Sequence, residues 1–189
     1  MLWDMQYIAV HHSAVVAGST PQLFAVDRYH KNKWNMKSQR GWYVGYNYFI
    51  DTDGTVTQTR NHDEETIANR GHNCDVPERC DTISICLADN YNRTDAIDIR
   101  QYMELCDLIR DLQCQYKNTL TVVGHRDLQK DRTCPGMNFD KAEIDNLDSI
   151  ECSKTNNDLV DDEKEAQIIF LQATLDSLRA ALRRILSNL

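Results

Sequence analysis

The chain has 189 residues and a mass of 21.9 kDa, 41% of it hydrophobic and 26% charged, with 7 Gly and 3 Pro. That length allows one ordinary domain with something small attached, and the composition excludes both a disordered tail and a fibrous repeat. With 21 Lys+Arg against 29 Asp+Glu, the net charge of -8 opposes non-specific attraction to nucleic-acid phosphates or anionic membranes, so no nucleic-acid partner is expected.

In chain order, Tyr7-Ile8-Ala9-Val10 reads as a buried strand that stops at His11-His12-Ser13, placing polar groups at a strand end. Ser19-Thr20-Pro21 then opens a helix from Gln22 to about Lys33, spaced through Leu23, Val26 and Tyr29-His30. Tyr43 to Ile50 alternates as a strand, Asp51-Thr52-Asp53-Gly54 turns, and Thr55 to Gln58 returns as its antiparallel partner. Residues 60–81 read as irregular loop, with room for one short helix over Glu64 to Ala68.

Thr82 to Leu87 is the next strand, Asp95 to Tyr116 has the spacing of an amphipathic helix, and Leu120 to Val123 is a strand stopping at Gly124-His125-Arg126-Asp127. This alternation predicts an α/β or α+β sheet with helices on its faces. No run approaches the roughly 20 apolar residues of a membrane span, and MLWDMQYIAV lacks the features of a secretory signal, so production in the cytoplasm is expected. Seven cysteines form no evident framework of pairs. Most are therefore expected reduced, with Cys86, Cys106 and Cys114 as small core residues.

After residue 151 the composition changes. Residues 152–166 read as an acidic linker, and residues 167–189 as a separate amphipathic helix. There Ile168, Leu171, Leu175, Leu178, Leu182, Ile185 and Leu189 repeat at steps of three and four, the seam of three heptads, so a homo-oligomer through residues 168–189 is expected.

The residues suited to chemistry sit at strand ends. His11 follows YIAV, His125 follows TVVG, and Cys134 lies nine residues further on in the turn-prone Arg132-Thr133-Cys134-Pro135-Gly136. Two imidazoles and a thiol on loops at one sheet edge are the donor set of a catalytic zinc with its fourth position open. Ordinary surface histidines and a packed cysteine are the alternative reading of the same residues.

HHSA after a strand, GWYVGYNYFIDTDGTV, ISICL, and GHRD followed by TCPG resemble, in the same order, the zinc N-acetylmuramoyl-L-alanine amidases, a family that includes phage lysozyme-type amidases and the peptidoglycan recognition proteins. The resemblance spans roughly residues 5 to 145 and implies a mixed sheet of about five strands flanked by helices, within a catalytic domain of residues 1–151. It implies Zn²⁺ on His11, His125 and Cys134, with His12 as the competitor for the first position. It also implies that Tyr46 lies beside the metal.

Arg132 stands where the family usually has Lys or Thr; it could donate to an oxyanion but not give up a proton, and Lys130 is its neighbouring alternative. Asn69 and His72 are the candidate substrate contacts, because Ala68-Asn69 replaces a common Ala-His. Cys74 and Cys80 could clip an apparent insertion under oxidising conditions. The implied activity is hydrolysis, by zinc-activated water, of the amide between N-acetylmuramic acid and L-alanine in peptidoglycan, as in a phage endolysin acting on the wall after release. A non-catalytic peptidoglycan-binding recognition protein and a cytoplasmic wall-recycling amidase are the alternatives.

Overall fold

The computed structural model describes residues 5–16, 21–68, 81–94, 96–129 and 131–152, all within the unit Met1–Cys152. The acidic linker after Cys152 and the heptad helix lie outside the described residues, as do Asn69, His72, Cys74, Cys80 and Lys130.

The apolar runs pair with one another. β1 (Tyr7–His12) lies between β4 (Thr82–Leu87) and β5 (Thr121–Gly124), parallel to both. Runs without clean alternation suit strands covered on both faces, and Ile8, Ala9, Val10, Ile83, Ile85 and Leu87 are fully buried. β2 (Tyr48–Ile50) pairs in parallel with β4, and β3 (Val56–Gln58) turns back antiparallel, giving the order β3-β2-β4-β1-β5.

Helices flank this mixed sheet. α1 (Gln22–Trp34) packs Leu23 and Val26 against Phe49 and Cys86. Pro21 offers its first turn no side-chain cap, and the Asp51 carboxylate from the hairpin turn accepts the Leu23 N–H instead, at 3.3 Å. α2 (Ile99–Gln115) buries Tyr102, Leu105, Ile109 and Leu112, and its Gln101 amide donates to the Ile50 and Ala88 carbonyls at 2.9 and 3.1 Å. A single turn, α3 (His125–Leu128), follows β5 directly, and α4 (Lys141–Asp148) closes the unit, capped by Asp140 at the Glu143 N–H. No helix among the described residues is long and apolar enough to cross a membrane.

Several expectations change. The strand expected over Tyr43 to Ile50 shrinks to its last three residues, so Tyr46 stands in a bend ahead of β2. The carbonyls before it are taken by other groups: Val44 by Arg60 Nε (2.6 Å), Gly45 by the Ile67 and Ala68 amides, Tyr46 by Thr59 Oγ1 (2.7 Å), Asn47 by the Thr59 amide (2.8 Å). Those bonds also turn Ile67 and Ala68 away from the short helix allowed over Glu64 to Ala68. The helix expected from Asp95 begins at Ile99, where Asp98 accepts the Arg100 N–H at 2.9 Å. The polar stop after β5 is helical from His125 onward, and α4 forms where no element was expected.

Cys114 is also corrected. It is exposed near the end of α2 and disulfide-bonded to Cys152, 38 residues later, with Cα atoms 4.7 Å apart. Helical spacing alone placed it in the core, but the last turn of α2 points it outward, to where the chain returns after α4. Cys86 and Cys106 are buried and free, as expected.

Candidate metal centre

Parallel pairing fixes the first two donors. Val10 of β1 is in register with Gly124 of β5, so His11 and His125, each one step further, emerge side by side with ring centroids 4.5 Å apart. Alternation along β1 sends His12 to the other face. There its Nδ1 accepts the Tyr91 N–H at 3.0 Å, and burial lowers its pKa to about 4 against the pull of Asp89. An imidazole so engaged is a poor competitor for the metal.

The third donor arrives on the loop after α3. The Arg126 N–H donates to the Cys134 carbonyl at 2.8 Å, while its guanidinium donates to the carbonyls of Gly136 (2.7 Å) and Phe139. Gly136 lies at φ +130, and a Cβ there would fall 2.4 Å from the Tyr91 Cβ and 2.5 Å from its carbonyl carbon, so only glycine lets the loop close on Tyr91. The loop carries Cys134 Sγ to 3.6 Å from His11 Nδ1 and within reach of the His12 N–H, at 3.4 Å.

His11, His125 and Cys134 offer one ligand atom each, all within 4.8 Å of one another. Tetrahedral zinc with Zn–N of about 2.05 Å and Zn–S of about 2.3 Å would separate N and S by about 3.6 Å, the distance found between His11 and Cys134. The acid–base chemistry agrees. Burial pushes the Cys134 thiol up to about 12 even though the His12 N–H and the charges of Arg126 and Arg132 favour the thiolate. A cation within the cluster is what would ionise it. By spacing and by chemistry, the three residues fit zinc.

Tyr46 stands next to the cluster, its ring centroid 5.2 Å from that of His11. Burial is the main cause that holds its phenol well above 10, and its hydroxyl is hydrogen-bonded to Cys86, so at neutral pH it is an O–H donor. His30 braces the other side. Its ring lies 5.8 Å from Tyr46, its Nδ1 accepts the Gly45 N–H at 2.9 Å, and burial lowers its pKa to about 4.

Arg132 is more than half exposed and turned to Gln129 Oε1 (2.9 Å) and Asp131 (3.8 Å), near enough to Cys134 for its charge to act there. Both oxygens of Glu64 are engaged, accepting the Gln39 and Asn61 amides at 2.8 Å.

Sequence reasoning missed Arg126, Gly136 and Cys86 as parts of the site. The first two lie inside the GHRD and TCPG runs, so the signal was present without its meaning. Cys86 gave none, since its place beside Tyr46 follows from pairing with His11 across β1 and β4.

Residues 3–137 match the family model described as N-acetylmuramoyl-L-alanine amidase. A comparison with curated protein sequences finds no match. Among solved structures, the N-acetylmuramoyl-L-alanine amidase LysC from Clostridium intestinale URNW is 29% identical, over 76% of this chain and 85% of that one, with a TM-score of 0.55. Bumblebee PGRP-SA shares the fold at 18% identity, over 82% and 87% of the two chains, with a TM-score of 0.61. The ectodomain complex of peptidoglycan recognition proteins LCa and LCx, solved with tracheal cytotoxin bound, shares it at 21% identity, over 72% and 78%, with a TM-score of 0.52.

Proposed function

The chain belongs to the N-acetylmuramoyl-L-alanine amidase family, and from that premise we propose that it is a zinc-dependent peptidoglycan hydrolase of the phage endolysin kind. Its bond would be the amide between N-acetylmuramic acid and the L-alanine of the stem peptide. The observation that carries this reading is the cluster of His11, His125 and Cys134, two imidazoles and one thiol, the three-ligand set of a catalytic zinc. Zinc held there would bring a water's pKa toward about 7 and polarise the scissile carbonyl.

The chain's own residues supply the rest. Tyr46, kept protonated by burial, is the donor for the oxyanion that forms when the amide carbon becomes tetrahedral. Arg132 is the second candidate, once its guanidinium leaves Gln129. The His12 N–H steadies the Cys134 sulfur, and Arg126 holds the loop that presents it. Asn69 and His72 remain the proposed contacts to the stem peptide.

Synthesis in the producing cell followed by action on the wall fits the Cys114–Cys152 bond, since such pairs persist outside reducing cytoplasm. Self-association through residues 168–189 would add avidity for a polymeric wall. The recognition-protein reading is weaker here, because a binder has no need of a complete three-donor set beside a protonated tyrosine.

The test is hydrolysis of purified peptidoglycan by wild type, His125→Ala and Cys134→Ser, with bound zinc measured on the same samples. About one zinc per chain and new L-alanine amino termini without new reducing ends, both lost in the variants, are the expected results. Wall binding by the wild type with no product released would leave only the recognition reading.

A further inference from the structure

We propose that the outer surface of α1, with the segment that follows it to Tyr43, binds a phosphodiester-linked anionic polymer of the bacterial wall, at a site separate from the three-donor cluster. The proposal rests on the wall as the site of action, and its own observations are electrostatic. The whole chain carries a net charge of -8, yet residues 28–40 hold Arg28, Lys31, Lys33, Lys37 and Arg40 and no acidic residue. All five are exposed, and among the described residues none forms an ion pair. A cationic stretch on an acidic protein is a local field that draws anions to one place.

The surface is built rather than merely charged. Asp27 Oδ1 accepts the Tyr43 N–H at 2.5 Å and so ties the end of the segment back onto α1. Asn35, in the left-handed conformation at the helix end, turns the chain to bring Lys37 round. Lys31 and Lys37 then lie over the same Tyr43 ring, at 5.2 and 5.8 Å, while Lys33 lies over both Tyr29 (5.4 Å) and Trp34 (4.6 Å).

Two ammonium groups brought to one ring, with no carboxylate paired to either, place two cations where phosphates spaced along a chain can meet them. The same geometry selects the ligand class. Single-stranded nucleic acid needs open aromatic faces on which bases stack; here a lysine lies over each of the Tyr43, Tyr29 and Trp34 rings, and the dominant feature is a row of spaced cations. A polymer of phosphates joined by non-aromatic units needs no more than that. The Trp34 ring under Lys33 touches His30 at 4.7 Å, and His30 in turn faces Tyr46 at 5.8 Å, so a polymer held on these lysines keeps the enzyme beside its substrate strand.

The experiment uses the full chain and a Lys31→Gln/Lys33→Gln/Lys37→Gln variant. Binding is measured by co-sedimentation with walls that retain their polyol-phosphate polymer and with the same walls stripped of it by hydrofluoric acid. The wild type is expected to prefer intact walls by about tenfold or more, and to weaken by up to roughly 20-fold between about 50 and 200 mM salt, as for three neutralised phosphates. The variant is expected to lose that preference, a triple Lys→Arg variant to keep it, and all three to release amino termini equally from stripped walls.

Equal binding of intact and stripped walls by the wild type, or an undiminished preference in the Gln variant, would overturn the proposal. So would tighter binding of single-stranded DNA of the same phosphate number, which would make this a nucleic-acid surface. If preference for intact walls persists while no protein releases amino termini, the hydrolase reading fails and this surface stands.

Discussion

The sheet edge that holds the three donors and the flank that carries Tyr46 are built by different means. At the edge, β1, β4 and β5 lie in parallel register, so backbone ladders place His11 and His125, and Arg126 and the Gly136 turn place Cys134. On the flank, β2 and β3 are three residues each, and buried polar side chains take over the work of a ladder. Arg60, only 3% exposed, donates to the carbonyls of Val44, Met36 and Glu65, and Asn47 joins the Ser84 amide to the Asn61 carbonyl. Ladders place His11 and His125 with little help from other side chains, Cys134 depends on Arg126 and Gly136, and the flank depends on a few residues, each answering for several backbone groups.

Substitutions can separate the two. The largest effect falls on the edge: Cys134→Ser or His125→Ala should abolish zinc retention and hydrolysis while leaving the fold, as read by metal analysis and circular dichroism. On the flank, Arg60→Met removes the donor of three carbonyls, the Val44 one buried and the Met36 and Glu65 ones partly so, and should cost about 3 kcal/mol in urea unfolding. The molecules still folded should hold zinc as wild type does, and a matching loss of zinc affinity would show the two regions are not independent.

Cys152→Ser opens a 38-residue loop that contains both His125 and Cys134. It should cost about 4 kcal/mol under oxidising conditions and nothing in the presence of a reductant. Tyr46→Phe keeps the ring and removes the donor. Hydrolysis should fall by about 10²-fold, roughly 2.7 kcal/mol, with zinc content unchanged.

The smallest effect is a pH dependence. The folded-state pKa of His30, about 4, lies below its ordinary 6.5, because burial disfavours the charged ring. Its contribution is therefore fully present above pH 6.5 and is lost as the pH falls toward 4. His12 shifts the same way for the same reason. His30→Asn, which keeps an acceptor for the Gly45 N–H, should flatten the loss of stability between pH 6.5 and 5 by on the order of 2 kcal/mol, seen as converging urea midpoints. An unchanged slope would mean that His30 does not titrate in that range.

This difference in construction also decided what could be read in advance. Buried parallel strands demand unbroken apolar runs with abrupt polar stops, so YIAV, TISICL and TVVG announced themselves, and the donors at their ends with them. The amphipathic period of α2 was equally plain. The flank departs from its sequence pattern because alternation over Tyr43 to Ile50 is a strand signal, whereas Arg60 and Thr59, brought from beyond the hairpin, claim the carbonyls that a longer strand would have used.

What the sequence determined by itself is local: which segments are apolar, where they stop, and which donor types stand at the stops. Tertiary structure alone decided that His11 and His125 stand side by side, that Cys86 lies under Tyr46, and that Cys114 meets Cys152. The reason is physical. Strand register, and the return of the chain past a helix end, bring together residues tens of positions apart, and their adjacency is set by the packing of the whole sheet rather than by any period along the chain.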